Sequence, residues 1–386
     1  MKRILYVTGS RAEYGIMKRL LMVLNNRHDI ELTLVATGMH CDERYGLTYK
    51  VIEQDGFELA KLIPIYLDAT DNANILHSMA ICQSKFGRYF QDNKFDAVML
   101  LGDRYEILSV AIAAAMHNLP IIHLHGGEKT LGNYDEFIRH AITKMSRLHL
   151  ASTEEYRNRI IQLGEHPDSV FNVGALGAEN SLLMELPDKS ELALRFGTFD
   201  KPYFMVVFHP ETLTDTSLLE QVEALLAALT KLSKQYDFVF IGSNSDTGAD
   251  VIVNKITQFC SENSFKFMCS VKPEEYLALI KNSQGLIGNS SSGLIEVPSL
   301  HVPTINIGDR QKGRVRGETV IDCECSEQAI YQSIVLSQSV EFSEKVRVAI
   351  NPYYQHNVLE QIMSVIIFFF EQPSAKYKDF YDLKLG

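Results

Sequence analysis

The stretch AVMLLGDRYEILSVAIAAAMHNLPIIHLHG, residues 97–126, contains two short apolar runs separated by an amphipathic segment. Residues 97–103 and 120–126 are rich in apolar side chains that do not alternate with polar ones, which is typical of strands covered on both faces. Residues 105–118 have the apolar spacing of a helix. The stretch therefore predicts a β-α-β unit whose two strands lie in a parallel sheet.

The same alternation of apolar runs and helical patterns fills the chain twice, with about six strands each time. We therefore predict an α/β fold with two doubly wound sheets and a cleft between them. Ligands of such sheets bind outside the carboxyl ends of the strands. The predicted strands are residues 4–9, 31–37, 97–103, 120–126, 148–152 and 170–174, then 203–210, 237–243, 265–270, 285–290, 303–308 and 320–324.

The length of 386 residues exceeds what one hydrophobic core usually serves, so we expect two domains. The polar stretch over residues 184–202 is the best candidate for their boundary. We predict a first domain over residues 1–185 and a second over residues 186–354. Residues 355–386 are predicted to be helical and to cross back to the first domain.

Composition argues against several classes of partner. The net charge of −11 disfavours binding to nucleic acid and to an anionic membrane surface. The apolar run VIIFFF, residues 365–370, is far too short to span a bilayer. The four consecutive apolar residues near the N-terminus are too few for the core of a signal peptide. We expect a cytoplasmic protein.

The cysteines and histidines do not form a metal-binding motif. The six cysteines contain no CxxC pair, and most lie in apolar surroundings, so buried reduced thiols are expected. The twelve histidines form no HExxH motif. We predict no metal site.

Titratable side chains gather where two strands of the first half end. Asp103 ends one predicted strand, and His125, Glu128 and Asp135 follow the next. Because parallel strands present their carboxyl ends at one edge of a sheet, these groups are expected to converge. A carboxylate at an apolar strand end is costly to desolvate unless it has a partner or a use.

Each of these residues also has a simpler interpretation. Asp103 could only cap a helix, and Asp135 could favour the positive end of the following helix. Arg139 and His140 could lie on the surface. The convergence of three carboxylates on one edge is what favours a catalytic interpretation.

The second half, together with the first strand-to-helix turn, contains groups suited to phosphate. Arg11 lies in the turn TGSRAEYG, and its guanidinium fits phosphate oxygens. The segment GNSSSG, residues 288–293, follows a strand and combines hydroxyls with the start of a helix, while Glu296, one turn inside that helix, could bind a ribose diol. In the loop over residues 307–319 most basic side chains are expected to be solvated and one to reach a diphosphate. The predicted nucleotide-binding residues of this kind are Arg11, His209, Asn244, Ser290, Ser291, Ser292, Gly293, Glu296 and Arg310.

Taken together, the motifs TGSRAEYG, LGDRYE, HLHGGE, DEFIRHAITK, FHPET and GNSSSGLIEVP resemble the hydrolysing UDP-N-acetylglucosamine 2-epimerases of bacterial sialic-acid pathways. The resemblance runs through nearly the whole chain. It implies two Rossmann-like domains of the B-type glycosyltransferase architecture. It also implies hydrolysis of UDP-N-acetylglucosamine to N-acetylmannosamine and UDP without a metal or redox cofactor.

The resemblance also implies roles for particular residues. Asp103 and Asp135 match the family's catalytic carboxylates, and Glu128 matches the second glutamate of its HIEGGE motif. Val271, in the loop CSVKP, lies where backbone groups meet uracil. Arg11, His209, Ser290 to Gly293 and Glu296 match UDP-binding positions.

One position departs from the family pattern. His125 stands where members acting on UDP-N-acetylglucosamine have a glutamate, and the form HLHGGE is closer to relatives in legionaminic-type pathways. The sequence therefore leaves two substrates open, UDP-N-acetylglucosamine and UDP-N,N′-diacetylbacillosamine. His125 is kept among the catalytic candidates.

Two other functions and the oligomeric state stay open at this point. A glycosyltransferase would use the same nucleotide site but need an acceptor, and a sensor would bind without turnover. The expected partner is a UDP-sugar, with no nucleic acid or membrane. A dimer or tetramer is expected, and the apolar stripe over residues 72–90 could serve an interface or the core.

Overall fold

The computed structural model of the protein describes residues 1–199, 201–211, 213–242, 248–372 and 377–384. Its first sheet is parallel, and six of its seven strands carry the apolar runs recognised in the sequence. These strands are β1 (Lys2–Thr8), β2 (Ile30–Thr37), β3 (Leu59–Ile63), β4 (Ala97–Leu101), β5 (Ile121–Leu124), β6 (Leu148–Ala151) and β7 (Val170–Asn172).

The first sheet has the order β3-β2-β1-β4-β5-β6-β7, so the chain reverses its direction of travel across the sheet at β1 and β4. Helices cover both faces, because both faces are apolar. The helices are α1 (Arg11–Asn25), α2 (Tyr49–Gln54), α3 (Asn72–Asp92), α4 (Tyr105–Met116), α5 (Asp135–Met145), α6 (Glu154–Gln162) and α7 (Leu176–Leu183).

The second sheet repeats this plan with the order β10-β9-β8-β11-β12-β13, where the strands are β8 (Tyr203–Val207), β9 (Asp237–Ile241), β10 (Lys266–Met268), β11 (Leu286–Gly288), β12 (Thr304–Ile307) and β13 (Val320–Cys323). Its direction of travel reverses at β8 and β11. The remaining helices are α8 (Lys189–Phe196), α9 (Leu218–Thr230), α10 (Ala249–Asn263), α11 (Pro273–Lys281), α12 (Ser292–Ile295), α13 (Glu327–Ser337), α14 (Val340–Val348) and α15 (Val358–Glu371).

The two parallel sheets confirm the predicted architecture of two Rossmann-like domains. The positions where the strand order reverses are the places at which such sheets bind ligands, outside the carboxyl ends of their strands. In the first sheet β1 pairs with both β2 and β4, and in the second sheet β8 pairs with both β9 and β11. The loops after these strands are therefore where a site is expected.

The sequence reading missed strand β3. Its residues at positions 60–62 are exposed, since β3 lies at the edge of the sheet. The pairing with β2 is also irregular, with a register shift between Leu34 and Val35. An edge strand with solvated side chains lacks the continuous apolar run by which the other strands were recognised.

Helices α15 and α3 pack their apolar faces against opposite sides of the first sheet. The prediction that residues 355–386 are helical was wrong for residues 377–384, since the helix α15 ends at Glu371. Helix α15 packs into the core beneath the first sheet through Val358, Ile362, Met363 and Ile366. The apolar stripe of α3 faces the core on the opposite side of that sheet, where Phe86 and Phe90 are buried.

The domain limits at residues 185 and 354 stay a prediction. No helix in the described part of the chain is both long and apolar enough to cross a membrane.

Candidate active site

A cavity of about 250 Å³ lies between the carboxyl ends of the two sheets and is lined by side chains from both. It brings together most of the residues singled out from the sequence. Those lining it are Arg11, Asp103, His125, Glu128, Asp135, His209, Val271, Ser290, Ser291, Ser292, Glu296 and Arg310.

Among the predicted residues that the structure describes, Gly293 does not line the cavity. Gly293 lies behind the serines, where its N–H bonds the Ser290 carbonyl and its carbonyl accepts from Thr304 Oγ1 at 2.9 Å. A Cβ at this position would lie 2.5 Å from Thr304 Cγ2, so the glycine permits close packing of α12 on β12. Asn244 falls outside the described residues.

The first turn places Arg11 between the domains. Ser10 caps α1, its side chain accepting a hydrogen bond from the Glu13 N–H. Arg11 then follows at the start of the helix, and its guanidinium donates to Ser270 Oγ of the second domain at 2.6 Å. Burial lowers the pKa of Arg11 to about 10, so it is a cation at neutral pH.

Asp103 follows β4 and forms an ion pair with Arg139 of α5. The structure excludes the alternative that Arg139 lies on the surface, since this residue is 1% exposed. Its guanidinium also donates to the Glu128 carbonyl at 3.0 Å and to Thr130 Oγ1 at 3.1 Å. Arg139 thereby ties the loop after β4 to the loop after β5. Its spacing in the sequence was the one feature that could have placed Arg139 at the site, because it lies one helical turn after Asp135 and on the same face of the helix.

Asp135 begins α5, where a carboxylate is favoured by the positive end of the helix. Asn133 Nδ2 donates to Asp135 Oδ2 at 3.1 Å, and an Arg310 guanidinium nitrogen lies 3.7 Å from the same oxygen. Asp135 is therefore oriented by groups from both domains.

His125 and Glu128 form a buried pair just after β5. His125 Nδ1 lies 2.9 Å from Glu128 Oε1, which also accepts from Ser152 Oγ at 2.9 Å. Arg314 of the second domain lies 2.9 Å from Glu128 Oε2. Burial alone would raise the pKa of Glu128, but the charge of Arg314 and the hydrogen bonds from His125 and Ser152 lower it to about 2.

Beneath these groups the sequence reading missed a second acidic cluster. Arg104 Nε lies 2.6 Å from Glu106 Oε1 and 3.8 Å from Glu13 Oε1. Glu13 and Arg104 line the cavity, and Glu106 is fully buried. Burial and the neighbouring charge of Glu106 raise the pKa of Glu13.

The opposite wall is built around Asn289, which the sequence reading also missed. Asn289 Oδ1 accepts from the His209 N–H at 2.7 Å, and its Nδ2 donates to the His209 carbonyl at 2.8 Å. The Asn289 carbonyl accepts from Arg310 at 3.2 Å and from Gln311 at 2.8 Å. Burial, with the nearby charges of Arg310 and Arg104, lowers the pKa of His209 well below its ordinary value, so its ring is neutral.

The serines follow β11 at the mouth of the cavity. Helix α12 is only four residues long, and Glu296 lies at its C-terminal end, not one turn inside a longer helix as the sequence suggested. Tyr276 of α11 donates from its hydroxyl to Ser292 Oγ at 3.0 Å. Burial raises the pKa of Glu296. The serines thus line the cavity together with Arg11 and Arg310.

Four carboxylates of the first domain each have an arginine partner, and two of these arginines come from the second domain. The expectation that most basic residues of the loop over residues 307–319 are solvated was wrong for Arg310 and Arg314, which are 7% and 9% exposed. The pairs are Glu13–Arg104, Asp103–Arg139, Glu128–Arg314 and Asp135–Arg310.

Two Rossmann-like domains that enclose acids on one wall and anion donors on the other define an enzyme of the nucleotide-sugar class. The family described as UDP-N-acetylglucosamine 2-epimerase matches residues 22–367, and the chain belongs to that family. Membership confirms the family and the enzyme class predicted from the motifs.

Relatives and solved structures agree with this assignment. The chain is 57% identical to polysialic acid biosynthesis protein P7 of Escherichia coli over 99% of this chain and 98% of the relative. It is 39% identical to a hydrolysing GDP/UDP-N,N′-diacetylbacillosamine 2-epimerase of Campylobacter jejuni, over 89% of each chain. The fold matches that of the UDP-N-acetylglucosamine 2-epimerase of Neisseria meningitidis, a structure bound to UDP-GlcNAc, with a TM-score of 0.78 at 18% identity, over 95% and 100% of the two chains.

Proposed function

We propose that this chain is a hydrolysing UDP-HexNAc 2-epimerase that converts UDP-N-acetylglucosamine and water to N-acetylmannosamine and UDP. The observation that carries the proposal is the cavity in which Asp103, His125 and Asp135 face His209 and the serines of the second domain. Acid–base groups and a diphosphate-binding wall are the two requirements of this reaction.

The reaction needs a base because the C2 hydrogen of the sugar is not acidic by itself. As the bond between C1 and the UDP oxygen breaks, its electron pair leaves with UDP and C1 becomes electron-poor. A base then removes the C2 proton, and the C2–H electron pair forms the C1–C2 double bond. Water adds at C1 and a proton returns to C2 on the opposite face, which gives the free 2-epimer.

UDP is held by neutral and basic donors of the second wall, together with Arg11 of the first domain. The hydroxyls of Ser290 and Ser291, the neutral His209 ring and the guanidinium groups of Arg11 and Arg310 suit the oxygens of the departing diphosphate. These donors offset the repulsion expected from the chain's net charge of −11. Glu296 is proposed to bind the ribose and Val271 to lie beside the uracil.

A second substrate is favoured by a specific observation. His125 stands where the family motif HIEGGE has its first glutamate, and relatives from Campylobacter jejuni and Legionella pneumophila that are named for N,N′-diacetylbacillosamine are 39% and 34% identical to this chain. The same chemistry on UDP-N,N′-diacetylbacillosamine is therefore the alternative to UDP-N-acetylglucosamine.

The test uses the purified protein with each UDP-sugar in D₂O and no acceptor. We expect stoichiometric UDP and a free 2-epimer carrying deuterium at C2, both observed by proton NMR. The preferred substrate is the one with the higher kcat/KM. UDP release that depends on an added acceptor, with no free 2-epimer, would identify a glycosyltransferase instead, and binding without turnover would identify a sensor.

Compartment and assembly are part of the proposal. All six cysteines are free, which supports a reducing compartment such as the cytoplasm. We propose a dimer or tetramer, which light scattering coupled to size-exclusion chromatography would measure. A mass equal to one chain, 43.6 kDa, would contradict it.

A further inference from the structure

We propose that His125 is the base that removes the C2 proton and that Glu128 is its positioning residue and not a catalytic acid or base. The inference rests on the proposed function and assigns to one imidazole a step that the sequence left among several carboxylates. Three features of the loop after β5 support it. Both carboxylate oxygens of Glu128 have partners, a nitrogen of His125 is left without one at the cavity, and the nearby carboxylates are paired with cations.

Glu128 is unavailable for proton transfer because both of its oxygens are occupied. Oε1 accepts from Ser152 Oγ and from His125 Nδ1, each at 2.9 Å, and Oε2 faces Arg314 at 2.9 Å. The residue is 1% exposed. Glu128 is therefore a fixed anion that accepts hydrogen bonds only, which requires the proton of His125 to reside on Nδ1.

This arrangement leaves Nε2 of His125 as the basic nitrogen at the cavity. His125 lines the cavity, and within the described residues its Nε2 has no hydrogen-bond partner. Its backbone adopts a left-handed conformation with φ of 63°, which is uncommon for a residue other than glycine. The strained backbone is held by a hydrogen bond from the His125 N–H to the Leu150 carbonyl at 3.0 Å.

Two other buried histidines of the first domain, His40 and His123, differ from His125 because both of their ring nitrogens have partners. His123 uses Nδ1 with Thr143 Oγ1 at 3.2 Å and Nε2 with the Gly102 carbonyl at 2.8 Å, so both nitrogens are occupied. His40 is likewise bonded through both nitrogens, to Thr8 and Thr48. These two histidines have structural roles.

The surrounding charges favour His125 over Asp103 and Asp135 as the base. Asp103 is paired with Arg139, and Asp135 lies 3.7 Å from Arg310, so each carboxylate is stabilised in its ionised form by a cation. A carboxylate stabilised in this way takes up a proton less readily.

The carboxylate of Glu128 fixes the tautomer and orientation of the His125 ring, so Nε2 is the nitrogen that can accept a proton. His125 Nε2 would take the C2 proton, the C2–H electron pair would form the C1–C2 double bond, and the C1–O pair would leave with UDP. The imidazolium then returns its proton to solvent.

The test compares His125→Asn with a matched control. Asparagine tolerates a positive φ, so this variant removes the base without adding backbone strain. We expect kcat to fall by about 100- to 10,000-fold, with KM and the Kd of UDP changed by less than about threefold. The control is His149→Asn, since His149 forms a buried pair with Glu165 at 3.0 Å but does not line the cavity. The control should keep its kcat.

Two further variants separate proton transfer from structure. His125→Gly accepts the backbone conformation and leaves room for added imidazole, which should restore at least about tenfold of the lost kcat. Glu128→Gln should lower kcat while UDP binding persists, because an amide no longer fixes the tautomer of His125.

Three results would overturn the proposal: His125→Asn keeping more than a tenth of the wild-type kcat, His125→Gly gaining nothing from imidazole, or Glu128→Gln keeping full activity. A failure of the proposed function looks different, because the wild-type protein would then release no C2-deuterated sugar.

Discussion

Replacing Arg314 by Met should lower the free energy of unfolding by an amount that depends on pH. Arg314 lies in the second domain, but its guanidinium neutralises Glu128 of the first domain at 2.9 Å and donates to the Lys129 carbonyl at 3.0 Å. Methionine retains much of the side-chain volume and removes the charge. Glu128 would then be a buried anion without its cation.

The magnitude follows from the pKa of Glu128, which is about 2 in the folded protein against an ordinary value of 4.5. This difference of about 2.5 corresponds to about 3 kcal/mol of folding free energy at neutral pH, which is the net effect of burial, Arg314, His125 and Ser152, with Arg314 the largest of the favourable contributions. Losing one partner of a buried ion pair typically costs about 3–5 kcal/mol, which agrees. Because the folded pKa is depressed, the stabilisation is complete above about pH 5 and disappears as the pH falls towards 2.

The assay is denaturant unfolding of wild-type protein and Arg314→Met between pH 3 and pH 8. We expect a difference of about 3 kcal/mol at neutral pH that shrinks as the medium is acidified. The matched control is Lys312→Met in the same loop, because Lys312 pairs with Asp309 on the surface, where the two side chains are 59% and 61% exposed. Such a pair contributes between about 0 and 1 kcal/mol.

Two results would refute the reasoning. The first is an Arg314→Met protein within about 1 kcal/mol of wild type at pH 7. The second is a loss of stability of the same size at every pH, since it would assign the effect to packing and not to the charge of Glu128.

Further predictions concern catalysis and nucleotide binding. Asp103→Asn and Asp135→Asn should each lower kcat by about 100- to 10,000-fold while UDP binding, measured by calorimetry, is largely kept; near-normal turnover in both would remove them from the mechanism. Gly177→Ala should weaken UDP binding by roughly tenfold, because a Cβ there would lie 2.7 Å from Glu296 Oε1 and would displace the carboxyl group proposed to bind the ribose. Gly87→Ala is the control, since its Cβ would meet nothing within 4 Å; it should raise stability by about 0.5–1 kcal/mol without changing the Kd of UDP. Equal Kd values in the two alanine variants would contradict the placement of Glu296.

Much of the fold was predictable from local sequence. The buried strands, such as β4 and β5, can be recognised in the sequence as continuous apolar runs because both of their faces are covered by helices. The exception, β3, lies at an edge and is solvated, so its sequence carries no such run. The strand-end rule then located most of the site, since every parallel strand delivers the residues after it to the same edge.

The sequence by itself determined which residue types stand at the strand ends: Asp103, His125, Glu128 and Asp135 in one half, and the serines with His209 in the other. Only the tertiary structure decided what each one faces. Arg139 and Arg314 look like ordinary surface cations in the sequence, yet folding buries them against carboxylates far away along the chain or in the other domain. A side chain's chemistry depends on the charges and solvent around it, and those are fixed by contacts between distant segments that no local pattern records.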